Sequence, residues 1–130
     1  MRAALLGAAL CGAVAAPATA DVAMETATLG DYTIQLNLHP FLTEEDLSIL
    51  RLVSSDMQYL SLFVPQANGH SAMAASPDEG FVKDGVPVAS AVALGGLDSA
   101  ETAAKNAIDA CQKAAKTKTP CVVILQVAPK

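Results

Sequence analysis

Apolar residues recur at Ala100, Ala103, Ala104, Ala107, Ile108, Cys111, Ala114 and Ala115, the spacing of one helix face. Glu101, Lys105, Asp109 and Lys113 mark the opposite face, in an order that offers two acid-before-base pairs four residues apart. Asp98 with Glu101 three residues on predicts a start resembling a capping box. The apolar stripe is mostly alanine, so this helix can lie close against a sheet. After a Lys/Thr/Pro turn, Cys121-Val122-Val123-Ile124-Leu125-Gln126-Val127 is the near-continuous apolar run of a strand covered on both faces.

Upstream, Tyr32-Thr33-Ile34-Gln35-Leu36-Asn37-Leu38 alternates with period two and predicts a half-buried strand with Ile34, Leu36 and Leu38 on one face. Residues 21–31 are small and polar, and are expected to form a poorly ordered lead-in. His39-Pro40 ends the strand, because proline restricts its predecessor and lacks a donor. Thr43 before Glu44-Glu45-Asp46 predicts a capped helix start with acids at the positive end of the dipole. Leu47, Leu50, Val53 and Met57 would face the core, and the helix is expected to end near Ser54-Ser55. Met57 to Val64 reads as a strand buried on both sides and stopped by Pro65, with a helix continuing to Leu62 as the alternative. A turn at Asn68-Gly69 precedes a short strand of small residues, His70 to Ser76. Pro77-Asp78-Glu79-Gly80 is a turn by composition, Phe81 to Pro87 a loop, and Val88 to Leu94 a further strand leading through Gly95-Gly96-Leu97 into the long helix. The expected architecture is α+β: an antiparallel or mixed sheet of four to five strands with two packed helices.

Composition changes this picture mainly at the N-terminus. Arg2, an apolar run from Ala3 to Ala16 and the sequence Ala18-Thr19-Ala20 describe a secretory signal peptide over residues 1–20, with a single domain over 21–130. The run falls short of the roughly 20 residues a spanning helix needs. Export then implies a periplasmic or secreted location. Removing Arg2 leaves seven basic residues against thirteen acidic, a net charge of −6. Acidic character without a basic stripe argues against nucleic acid as a partner, and against adhesion to anionic lipid after the signal is cleaved. Aromatics are sparse (Tyr32, Phe41, Tyr59, Phe63 and Phe81, no Trp), which supplies a sugar site or aromatic cage poorly.

Of three cysteines, Cys11 leaves with the signal. It is a poor lipoprotein cysteine, because Leu10 precedes it where a small residue is expected. Cys111 and Cys121 form an even pair in an exported domain, which predicts a disulfide. It would close a loop of about 11 residues, worth roughly 2.5–3 kcal/mol. Two thiols without nearby histidine are too few for structural zinc, and they lack Cys-x-x-Cys redox spacing.

Catalysis needs convergent groups. His39 and His70 each stand at a strand edge, where Asp31, Ser71 or Ser76 would have to join them. There is no Gly-x-Ser-x-Gly elbow and no His-Glu-x-x-His helix. Gly95-Gly96 before a helix resembles a phosphate cradle but lacks the longer glycine pattern and a following lysine, and Asp98 competes for the cap. The three acids 44–46 point in different directions on a helix, which disfavours a metal site. No catalytic, cofactor-binding or metal-ligating residue is assigned. The expectation is a non-catalytic binding or accessory module for an unknown protein or small molecule. Its rivals are a small hydrolase using His39 or His70, and a self-assembling protein that pairs through a sheet edge.

The stretch Ser71-Ala72-Met73-Ala74-Ala75-Ser76-Pro77-Asp78-Glu79-Gly80, then Ser99-x-Glu101 through Ala107 to Cys111, then Cys121-Val122-Val123, resembles small exported alphaproteobacterial domains of unknown function. The resemblance covers about half of residues 21–130. Such proteins often carry the label aminolevulinate synthase. The resemblance implies fold and export and carries over no catalytic residue. A synthase of that name needs pyridoxal phosphate on a desolvated lysine and a far larger fold. Here Lys105, Lys113, Lys116 and Lys118 lie on or after a solvated helix face, and Lys83 lies in a loop.

Overall fold

The computed structural model describes residues 22–64 and 68–130, so the signal peptide expected over residues 1–20 lies outside the described residues. Strands β1 (Ala23–Leu29), β2 (Tyr32–Leu38), β3 (His70–Ala75), β6 (Val92–Leu97) and β7 (Val122–Pro129) form one antiparallel sheet in the order β1-β2-β7-β3-β6. A separate ribbon pairs β4 (Val82–Lys83) with β5 (Val86–Pro87). The helices are α1 (Glu44–Ser55), α2 (Met57–Phe63) and α3 (Ala100–Ala114). The class is α+β.

Two cores sandwich the sheet. On one face Ile34, Leu36, Met73, Leu125 and Val127 pack with Leu50, Val53, Leu60 and Val64 of the α1–α2 side. On the other, Ala72 and Ala74 meet Ala103, Ala107, Cys111 and Cys121. Alanines on both surfaces let α3 sit close to β3, β6 and β7, as its narrow stripe predicts. The pattern of β2 follows: Ile34 and Leu36 enter the first core, while Thr33 and Gln35 lie on the opposite face, beside the start of α3.

Several expectations need correction. The described part of the expected lead-in, residues 22–31, is not loose, because β1 pairs along its whole length with β2 across a two-residue turn, Gly30-Asp31. Gly30 sits at φ +59, where a side chain would be strained. The stretch expected as a strand over Met57 to Val64 is instead a helix, Met57–Phe63, so three helices pack among the described residues instead of two. Asp56 starts α2 by accepting the amides of Gln58 and Tyr59, and Met-Gln-Tyr-Leu-Ser-Leu-Phe holds no β-branched residue to oppose it. Met57 is 41% exposed and stands outside the core. The expected loop 81–87 contains a hairpin, turned by Asp84 (φ 55) and Gly85 (φ 77), both left-handed as an Asp-Gly hairpin turn requires. The strand expected over Val88–Leu94 begins at Val92, because Ala91 N–H closes a turn onto the Val88 carbonyl, and it runs through both glycines to Leu97. Ser99, not Asp98, caps α3, its hydroxyl accepting the Thr102 amide at 3.1 Å. On the solvent face Lys105 pairs with Asp109 at 3.4 Å, a base-before-acid pair instead of the expected reverse order.

At Thr43 the expected helix start is present in full. Its hydroxyl accepts the Asp46 amide at 3.0 Å, and Asp46 returns a carboxylate oxygen to the Thr43 amide at 2.9 Å.

Candidate functional site

The helical turn of α2 sends Leu60 and Phe63 towards the sheet and leaves Leu62 outside, 75% exposed. Opposite them stands the segment Phe81–Ala91, which carries the β4–β5 hairpin. Phe81 is anchored in the core and its ring lies 6.1 Å from that of Phe63, tilted by 49°. Between these two walls, over β3 and β6, is a cleft of about 280 Å³ lined by Leu62, Phe63, Met73, Phe81, Pro87, Ala91, Val92 and Ala93. Its floor is Met73 of β3 and Ala93 of β6, a pair across the two strands. The lining carries no ionisable or nucleophilic side chain. It can hold an apolar group by burial and offers that group no acid, base or nucleophile.

A larger hollow of about 540 Å³ runs along Glu44, Leu47, Ser48, Arg51, Leu52 and Ser55. All six belong to the outward face of α1, so it has no opposing wall. The cleft, walled on two sides and floored by the sheet, is the better enclosed of the two.

The hairpin wall is fixed by carboxylates from elsewhere in the chain. Asp46, 1% exposed, accepts the Val82 amide at 3.1 Å, and Glu45 accepts the Gly85 amide at 2.9 Å. Glu79 takes the Ser90 hydroxyl on one oxygen and the Lys116 amide on the other, the latter at 2.7 Å. The Ser90 bond, then the Lys116 amide, hold the Glu79 carboxyl below its ordinary range against the opposing effect of desolvation; the Lys116 charge adds to the lowering and Asp78 opposes it. The expected turn at Pro77–Gly80 thus also ties the cleft wall to the α3–β7 connection, where Thr119 donates to Asp78 at 2.6 Å.

The histidines occupy opposite ends of β7. His39 Nε2 lies 2.9 Å from the Val123 carbonyl, which can only accept, so Nε2 carries the proton; its ring stacks on Phe41 at 5.7 Å. His70 precedes Ser71, which pairs with Val127, four residues or roughly 13 Å along the strand from Val123. His70 and Ser71 are successive strand residues and face opposite sides of the sheet. Ser76 is buried at the far end of β3 and accepts the Asp78 amide, while Asp31 lies in the β1–β2 turn. No side-chain hydrogen bond joins any two of His39, His70, Asp31, Ser71 and Ser76. Cys111 and Cys121 are joined in a disulfide, at a Cα separation of 6.2 Å and 0% and 3% exposed. The lysines 83, 105, 113, 116, 118 and 130 are all exposed. Among the described residues no cluster of three or more His, Cys, Asp or Glu is placed to hold a metal. No helix among them is long and apolar enough to cross a membrane.

No protein-family model, curated protein or solved structure matches this chain. The functional assignment rests on the cleft itself. Its residues were not singled out from the sequence, although Asp84-Gly85 signals the hairpin wall and the absence of β-branched residues after Asp56 signals the helical wall.

Proposed function

We propose that this chain is an exported binding or accessory module, periplasmic or secreted, in which the cleft between α2 and the β4–β5 hairpin receives an apolar group of a small molecule or of a partner protein. The cleft carries this assignment: a concave apolar site beside polar surface is where a soluble domain binds. The pattern of residues 1–20, the buried disulfide and the resemblance to small exported domains support export. Binding needs no catalytic set, and the engagement of His39 with the Val123 carbonyl gives that histidine a structural role.

Purified residues 21–130 should enhance the fluorescence of an apolar naphthylamine dye, and Ala93→Phe, which fills the floor, should abolish this without changing the circular dichroism. Dye binding unaffected by Ala93→Phe would refute the cleft assignment. Concentration-dependent mass in solution would instead favour assembly through the edge strands β1 or β6. The mature protein should begin at Asp21; material recovered from the periplasm with Met1 intact would refute cleavage.

A further inference from the structure

The ribbon β4–β5 pairs only with itself within the described residues and is not part of the five-stranded sheet. Its attachment is uneven. At its beginning Phe81 and Val82 are buried, 1% and 7% exposed, and the Val82 amide is held by the buried Asp46 carboxylate. Beyond that point Lys83 to Pro87 are exposed; the segment is held by Glu45 on the Gly85 amide at the tip, by the Val88 N–H on the Phe81 carbonyl, and by Glu79 on the hydroxyl of the buried Ser90 at the far end. Glu79 precedes the segment and Ser90 nearly ends it, so one side chain closes the loop upon itself. The second Glu79 oxygen, on the Lys116 amide, fixes that closure to the body of the protein.

We propose that segment Lys83–Ser90 is a carboxylate-latched flap over the apolar cleft, hinged at Phe81–Val82 and opened when Glu79 loses its charge. A neutral carboxyl accepts these bonds more weakly, because charge-assisted bonds are about twice as strong as neutral ones. Phe81 stays in the core as the hinge, while Pro87 swings away from Phe63 and Leu62 and the cleft widens. The charges that bear on Glu79 are the Lys116 ammonium, which favours its ionised form, and Asp78, which opposes it. Because the Ser90 and Lys116 bonds hold the Glu79 carboxyl below its ordinary value, the opening falls below the ordinary carboxylate range of about 4. The flap's effect on binding rests on the cleft being the binding site; the flap itself is read independently of any ligand.

The test is amide exchange in residues 21–130, corrected for intrinsic rate, followed at the Val88 and Ala91 amides, which bond to Phe81 and Val88 carbonyls. Taking the protein from neutral pH to below about 4 should cost these amides about tenfold or more in protection while the Leu36 and Leu125 amides keep theirs. Glu79→Ala should produce the same local loss at neutral pH, and Glu79→Gln, which keeps one acceptor for Ser90, a smaller one should the alanine variant not fold. Protection at Val88 and Ala91 that falls only together with the sheet, or that neither variant alters, would overturn the proposal. Local loss without any gain in dye uptake would retain the flap and remove its connection to binding.

Discussion

The carbonyl oxygen of Val123 accepts both the Nε2–H of His39, at 2.9 Å, and the side-chain amide of Asn37, at 3.0 Å. The β2–β7 ladder ends at Leu36 and Leu125, so these two side chains continue by other means what the backbone stops doing. His39→Ala should leave Asn37 as the remaining donor and lower stability by about 1 kcal/mol, and His39→Gln should recover part of it. Urea midpoints at constant slope measure this. A wild-type midpoint for His39→Ala would remove the structural role assigned to the ring.

The disulfide closes the connection between α3 and β7. Cys121→Ala should cost about 2–4 kcal/mol, largely by freeing the unfolded chain. Both sulfurs are shielded, so the native protein should resist alkylation without reductant. Two freely labelled thiols in the native protein would contradict the bridge.

Leu60 and Leu62 separate the two interpretations of residues 57–64. Along a strand they would share a face, whereas in α2 Leu60 is 0% and Leu62 75% exposed. Leu60→Ala should therefore destabilise by about 2–5 kcal/mol. Leu62→Ala should stay within about 0.5 kcal/mol of wild type. Equal costs at both positions would return the segment to a strand.

β1 is an edge strand, and Glu25 ties it to α1 through two bonds to Arg51, at 2.7 and 3.0 Å. The Arg51 hydrogen bond, with the guanidinium charge adding to it, holds the Glu25 carboxyl below its ordinary value against desolvation. A depressed folded-state pKa gives a contribution that is complete above the unfolded value of about 4.3 and is lost as pH falls through the folded one. Protection of the β1 amides should fall in that window ahead of β2 and β7, and Glu25→Gln should flatten the dependence. An unchanged pH profile in Glu25→Gln would show that the exposed pair contributes nothing to holding β1, as many surface pairs do not.

The spacing along the chain determined what depends on neighbours within a few residues. The stripe Ala103, Ala107, Cys111 specifies the buried face of α3, the alternation in β2 specifies Ile34 and Leu36, and Thr43 with Asp46 specifies the start of α1. The cysteine pair was legible too, from its even number once Cys11 is set aside with the expected signal, and the bridge joins Cys111 in α3 to Cys121 just before β7. Tertiary structure decided what depends on partners far away. β1 has weak side chains and becomes a strand by pairing with β2, and the limits of β6 are set by β3 rather than by its own composition. The clearest instance is β7. Met73 pairs with Leu125 but Ala74 pairs with Val123, and the extra residue, Ile124, lets Val123 join the α3 core while Ile124 and Leu125 both enter the other. A continuous apolar run is compatible with either face at every position, so only the neighbouring strand's register chooses. The cleft shares that origin: its lining comes from α2, β3, β6 and the hairpin segment, and the hairpin is held by carboxylates 36 and 40 residues away. No local pattern encodes such distances, because each lining residue is an ordinary apolar position until the fold sets it opposite the others.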